Sequence, residues 1–198
     1  MGLDLEYIGG QTPIDEDEKE GLKILTIATR KELDEFEHQN IESAIQWTLS
    51  HSFRAEEVLS EKFVRRLHKR MFGNVWKWAG EFRRTNKNIG VDKHQIGIEL
   101  RTLFDNCRYW IVNRTYPEDE IAVRFKHRLV SIHCFPNGNG RHARLMADVL
   151  IEKILSQPVF TWGSVSLFQQ GEARTVYISA LREADEGSME SLLTFARS

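Results

Sequence analysis

A stretch of twelve residues late in the chain carries the side chains of phosphate chemistry. Residues 133 to 144 read His-Cys-Phe-Pro-Asn-Gly-Asn-Gly-Arg-His-Ala-Arg. Pro136 forces a turn, and Gly138 and Gly140 leave room for backbone N–H groups to converge on one point. Where such a turn opens a helix, the free N–H groups and the positive end of the helix dipole favour an anion. Arg141 and Arg144 lie three apart on that helix, so both guanidinium groups reach the same side. Two planar forks beside an N–H nest suit a polyphosphate. His133, at the other lip of the loop, has an unperturbed pKa near neutrality and is a candidate general base. A phosphate cradle next to a proton acceptor points to phosphoryl or nucleotidyl transfer. A Gly-Asn-Gly turn, a lone histidine or two spaced arginines are each commonly structural, but their combination within one loop is not. The loop is not of the Walker type, because no Gly-Lys-Ser/Thr follows the glycines.

These residues need helices to hold them. Residues 1 to about 28 read as an irregular lead-in, with breakers at Gly9-Gly10 and Thr12-Pro13. The acidic run Asp15 to Glu18 reads as a solvated surface, and Leu22 to Ile27 as a short strand. Thr29-Arg30-Lys31-Glu32 is a capping box, and Leu33, Phe36, Asn40, Ile41, Ala44 and Thr48 follow at helical spacing. Leu59, Phe63, Leu67 and Met71 mark a second helix ending at Gly73. Leu100, Leu103, Phe104, Cys107, Trp110 and Ile111 form the core-facing stripe of a third. Pro117 opens a fourth, with Ile121, Phe125, Leu129 and Ile132 as its apolar face. A fifth runs from about Arg141 through Ile154, with Pro158 after it. A last pair is expected around Val176 to Ala184 and Leu192 to Phe195, separated by Gly187. Phe82 to Ile96 departs from this pattern. Asn86, Asn88, Gly90 and Asp92 among Ile89, Val91 and Ile96 predict a β-hairpin. The expected architecture is an all-α bundle with one small hairpin, organised as the lead-in 1–28 and a single domain 29–198.

Length and composition agree with a single soluble domain. The chain has 198 residues, a net charge of −2 and globular hydrophobic content, which argues against disorder and a broad nucleic-acid footprint. Arg124 to Arg128 is a basic run, but Phe125 inside it belongs to the apolar stripe, so no nucleic-acid partner is expected. Cys107 and Cys134 cannot make a disulfide framework, and Ile132 and Phe135 beside Cys134 predict a buried, unreactive thiol. His127, His133, Cys134 and His142 lack the paired spacing of a structural zinc site. No apolar run approaches the roughly 20 residues that cross a bilayer, so no membrane partner and a cytoplasmic location are expected.

The segment 133–144 resembles the signature of the Fic (Fic/Doc) family, His-x-Phe-x-(Asp/Glu)-Gly-Asn-Gly-Arg-x-x-Arg. Every position matches except the fifth, where Asn137 stands. Leu67 to Gly73, Trp78 to Arg83 and the ending from Tyr177 to Gly187 are also similar to the family, so the likeness spans roughly residues 54 to 196. The lead-in and the stretch Thr29 to Trp47 are similar to a subgroup labelled mobile mystery protein B.

The resemblance implies a helical fold and transfer of a nucleoside monophosphate, usually AMP from ATP, to a Ser, Thr or Tyr hydroxyl of a target protein. It makes His133 the general base and Phe135 the buried anchor of the loop. Gly138, Asn139, Gly140 and Arg141 would hold the α- and β-phosphates, and Arg144 the γ-phosphate. Lys87, Asn88, Ile89 and Gly90 would form a flap that registers a target strand. The family's acidic residue at the position of Asn137 binds Mg²⁺, and a neutral asparagine oxygen weakens that expectation here. Two other readings stay open: a catalytically weak domain that binds nucleotide as a regulatory module, and a phosphotransferase of the same fold. Many relatives carry an inhibitory (Ser/Thr)-x-x-x-Glu-(Gly/Asn) helix whose glutamate pairs with the second motif arginine. Glu20-Gly21, Glu37-His38 and the stretch Ser179 to Glu183 each fit it only in part, which leaves self-inhibition or a separate antitoxin undecided.

Overall fold

The computed structural model describes residues 15–163 and 172–198, and their secondary structure is helical. Helix α1 (Glu16–Lys19) is one turn long, and α2 (Arg30–Leu49) is the longest element. After the short α3 (Ala55–Val58) come α4 (Glu61–Phe72), α5 (Ile96–Asn113), α6 (Glu118–Ile132) and α7 (Asn139–Val149). A π-helical turn, Leu150–Ile154, continues α7, and α8 (Glu172–Asp185) and α9 (Glu190–Arg197) complete the chain.

Local chemistry sets most of these boundaries. Thr29 and Glu32 form the reciprocal capping box at the start of α2, with the Thr29 hydroxyl accepting from Glu32 N–H at 3.2 Å. Ser60 caps α4 in the same way by accepting from Phe63 N–H at 3.2 Å. Leu59 therefore lies outside α4, at the end of α3. Pro117 precedes the first residue of α6, where its missing N–H costs nothing. The fifth helix begins two residues earlier than its periodicity predicts, because Gly138 adopts φ +77° and lets the helix start at Asn139.

Helix α6 is central and packs against α5, α7 and α9, while α4 bridges α2 and α7. Phe63, Leu67 and Met71 of α4 and Phe125, Leu129 and Ile132 of α6 are buried in one continuous core. Trp76 and Phe135 are fully enclosed in it. Phe36, read as part of the α2 core stripe, is instead exposed.

Two predicted β features are not formed. The stretch Leu22 to Ile27 contributes one isolated antiparallel bridge, Leu22 to Trp76, and no strand. The hairpin expected over Phe82 to Ile96 is an irregular flap without a ladder. Its polar groups are satisfied locally instead. The Arg83 guanidinium donates to the carbonyls of Thr85 and Val91, and the Asn86 side chain bonds both the Asp92 carboxylate and Lys93 N–H. Side chains that capture the backbone in this way compete with cross-strand pairing.

The acidic run is not simply a solvated surface. Lys87 Nζ, on a side chain only 4% exposed, lies 2.7 Å from Asp15 Oδ2 and 2.6 Å from Glu18 Oε2. The Thr85 hydroxyl donates to Asp15, and Trp78 Nε1 donates to the Glu18 carbonyl. The lead-in thus straps the flap. Gly9-Gly10 and Thr12-Pro13 lie outside the described residues.

Candidate active site

The loop 133–138 joins two helices that meet almost tip to tip in sequence. His133 ends α6 in the left-handed conformation, φ 57° and ψ 60°, and Gly138 starts α7 in the same region. A non-glycine residue held at positive φ needs surroundings that fix it. Arg83 supplies them: its N–H donates to the Cys134 carbonyl at 3.0 Å, and its Nε to the His133 carbonyl at 2.6 Å. Val91 N–H adds a bond to the Ile132 carbonyl at 3.3 Å.

The His133 side chain is buried, and burial lowers its pKa to about 4, with the Arg83 charge adding to the effect and the Val130 carbonyl opposing it. It is therefore neutral at pH 7 and able to accept a proton. The flap runs directly over it. Gly90, at φ +100°, packs so closely that a Cβ there would sit 2.6 Å from His133 Cβ. Of the predicted flap residues, Lys87 is bound to the lead-in, and the Ile89 side chain is half exposed.

Asn139 braces the loop from within. Its Oδ1 accepts from Phe135 N–H at 2.9 Å and its Nδ2 donates to Phe135 O at 2.8 Å, both buried. Its amide is thus spent on loop geometry, and its expected service to a phosphate falls to the backbone. The Phe135 ring stacks on His68 at 3.7 Å and is fully buried, as an anchor should be. Gly138 faces the Phe72 ring, which leaves no space for a side chain, whereas Gly140 looks onto open space. The first turn of α7 presents N–H groups that no helical carbonyl reaches.

The two arginines differ. Arg141 is about a third exposed and lies over the Phe72 ring, but its Nη1 is 2.6 Å from Glu37 Oε2. Glu37 is buried on α2, and its other oxygen accepts from Trp76 Nε1 at 2.6 Å. Arg144 makes no hydrogen bond among the described residues; its guanidinium lies 5.9 Å from the Tyr177 ring centroid, and burial lowers its pKa. Next to it, fully buried Lys126 donates to the Tyr177 hydroxyl at 2.6 Å.

Asn137 does not present a ready metal ligand. Its Oδ1 already accepts from Gly138 N–H at 2.7 Å. One neutral, occupied amide oxygen is a poor match for a hard cation that prefers carboxylates and water. Among the described residues, no group of three or more His, Cys, Asp or Glu side chains stands where it could hold a metal ion. The residues present do not fit a protein-held Mg²⁺. Cys134 is buried and its thiol pushed up to about 12, as its neighbours predicted.

Glu37, His68, Arg83 and Lys126 stand at the site without belonging to the loop. One signal pointed to Glu37 and Lys126: each is a charged residue on a helix face that is otherwise buried.

A helical domain with a glycine-containing loop between two central helices is the class that this fold and site define. Residues 58–151 match the Fic/DOC family model. It is similar to the protein adenylyltransferase Fic of Aedes aegypti, 25% identical over 170 residues that make up 83% of this chain and 32% of the relative. The corresponding protein of Drosophila grimshawi is 29% identical over 68% of this chain and 27% of its own length. The chain thus spans about a third or less of these curated relatives. Among solved structures, the N-terminal Fic domain of Bep8 from Bartonella sp. 1-1C superposes with a TM-score of 0.69 at 16% identity, covering 90% of both chains. BepC from Bartonella tribocorum, solved with bound AMPPNP, gives a TM-score of 0.66 at 16% identity over 92% of this chain and 97% of that one. The all-α Fic fold is shared. Among the described residues, no helix is long and apolar enough to cross a membrane.

Proposed function

We propose that the protein transfers a nucleoside monophosphate, AMP in the first instance, from a triphosphate to a Ser, Thr or Tyr hydroxyl of a target protein. The observation that carries this reading is the neutral, buried His133 at the lip of a loop that opens α7 with Arg141 and Arg144 on it. The target hydroxyl would bond to the α-phosphorus as the bond to the bridging oxygen breaks. His133 takes the hydroxyl proton, and pyrophosphate leaves. N–H groups at the start of α7 and the two arginines would neutralise the phosphate charge, since such transfers rely on positioning and electrostatics more than on covalent chemistry. The flap, with Ile89 outward over His133, is the surface that would align the target chain.

One observation favours a restrained form of this activity. Arg141 is held by Glu37, so a triphosphate must draw it away from a buried carboxylate to use it. A nucleotide-binding regulatory module would share that contact, and a separate antitoxin is not needed for restraint of this kind.

Incubation of the protein with labelled ATP, GTP, UTP and CTP, followed by detection of labelled protein, tests the reading. His133→Ala should lower transfer by about 10² to 10⁴, the usual weight of a general base, while nucleotide still binds. Undiminished transfer by that variant removes His133 from the mechanism, and binding without transfer by the unchanged protein favours the regulatory module.

A further inference from the structure

His68 lies on α4, far from the loop in sequence, yet it is wedged beneath it. The ring is fully buried, stacked on Phe135 and tilted against Phe72. Both nitrogens are engaged. Gly80 N–H donates to Nδ1 at 3.0 Å, so Nδ1 carries no proton. Nε2 lies 3.1 Å from the Asn137 carbonyl oxygen, which can only accept, so the ring proton is on Nε2. The two partners together select a single neutral tautomer. Burial above all, with the Arg141 charge adding to it, holds the pKa well below 6.5, which preserves it.

The consequence lies in the Asn137–Gly138 peptide. A trans peptide is planar, so fixing the direction of the carbonyl fixes the opposite direction of the following N–H. With the Asn137 carbonyl drawn toward α4, Gly138 N–H points away from α4, where the Asn137 side chain now caps it at 2.7 Å. That oxygen stands in for an acceptor. Gly138, at φ +77°, has the conformational freedom that would otherwise let this peptide rotate. Resting on the reading of the loop as a nucleotide site, we propose that His68 is a positioning residue, which locks the Asn137–Gly138 peptide so that Gly138 N–H faces a phosphate oxygen.

Two isosteric variants separate this role from support of the fold. Glutamine reproduces a donor near Nε2, and asparagine reproduces an acceptor near Nδ1. His68→Asn therefore keeps the Gly80 contact and loses the loop contact, and His68→Gln does the reverse. Binding of ATP and of adenosine is measured by calorimetry on the full chain, in the native background and with Glu37→Gln. His68→Asn should weaken ATP by about tenfold, the scale of one hydrogen bond in a dry site, with adenosine unchanged and His68→Gln within about threefold of the parent. Equal ATP affinity for His68→Asn and the parent overturns the proposal, as does an equal loss of ATP and adenosine. A larger loss in His68→Gln than in His68→Asn assigns the residue to the Gly80 turn and also overturns it. If the parent binds no ATP in either background, the nucleotide-site reading itself falls and takes this one with it.

Discussion

Glu37 shows how much a single buried carboxylate can decide. Its side chain is 3% exposed and its oxygens are shared between Trp76 Nε1 and Arg141 Nη1. The two partners of the ion pair are unequal, because Arg141 is 31% exposed and can turn to another anion while Glu37 cannot leave. A phosphate that captures Arg141 strands a buried charge with one indole donor, and stranding of that kind costs up to about 3 to 5 kcal/mol, less where water reaches the site. Glu37→Gln keeps an acceptor for Trp76 and removes the charge. It should bind ATP at least about tenfold more tightly by calorimetry, a conservative share of that cost. Unchanged or weaker affinity would mean that Arg141 does not meet the nucleotide. The loop itself was legible because His133, the glycines and both arginines sit within twelve residues. Glu37 reaches the site from 104 residues away in sequence, where no local pattern records a partner. What the sequence does contain is an acid between Leu33 and Asn40 on a buried helix face, and an acid there requires a cation.

At the scale of elements, the longer helices were legible and the flap was not, for one reason. Helices are specified by their own periodicity and caps: Thr29 with Glu32, Ser60, and Pro117 all act within a turn. The order of Asn86, Gly90 and Asp92 suits a hairpin turn, but a ladder also needs free backbone groups on both arms. Arg83 takes the carbonyls of Thr85 and Val91 and ties them to the His133 carbonyl, so the arms close on a guanidinium. The lead-in completes the arrangement through Lys87, which sits between Asp15 and Glu18 and lowers the pKa of Asp15. An exposed pair would contribute about 0 to 1 kcal/mol; here the lysine is enclosed but Asp15 is half exposed, so the upper end of that range is the reasonable figure. Lys87→Met should accordingly raise hydrogen exchange of the 85–92 amides about fivefold while α6 and α7 stay protected. Faster exchange throughout the domain would show that Lys87 supports the core, and no change would show that the strap does not restrain the flap.

For the whole molecule, the same burial that prepares the site makes folding sensitive to acid. Burial is the largest cause that lowers the pKa of His133 to about 4, of His142 to about 3, and of His68 well below 6.5. His127 is lowered in the same sense. In the unfolded chain each of these titrates near 6.5, so above that pH neither state holds the proton and stability is unaffected. As the pH falls below 6.5 the unfolded chain takes up protons that the folded chain refuses, and stability is lost until the folded values are reached. Asp148 acts in the opposite direction, since burial raises its pKa to about 6 and the folded state gains its proton first. His133, His142 and His68 against Asp148 leave a net of about two protons near pH 5, or roughly 2.7 kcal/mol of stability per pH unit, and His127 adds in the same direction. Denaturant unfolding at pH 7, 6 and 5 should show a loss over both steps, larger over the second than over the first. His133→Gln removes one of these protons and should flatten the slope near pH 5 by roughly 1.4 kcal/mol per unit. Transfer, where His133 is the base, should hold its rate from pH 7 to about 5, because the folded side chain remains unprotonated there. A rate that falls with a midpoint near 6.5 would place the working base in water, outside the pocket that encloses His133.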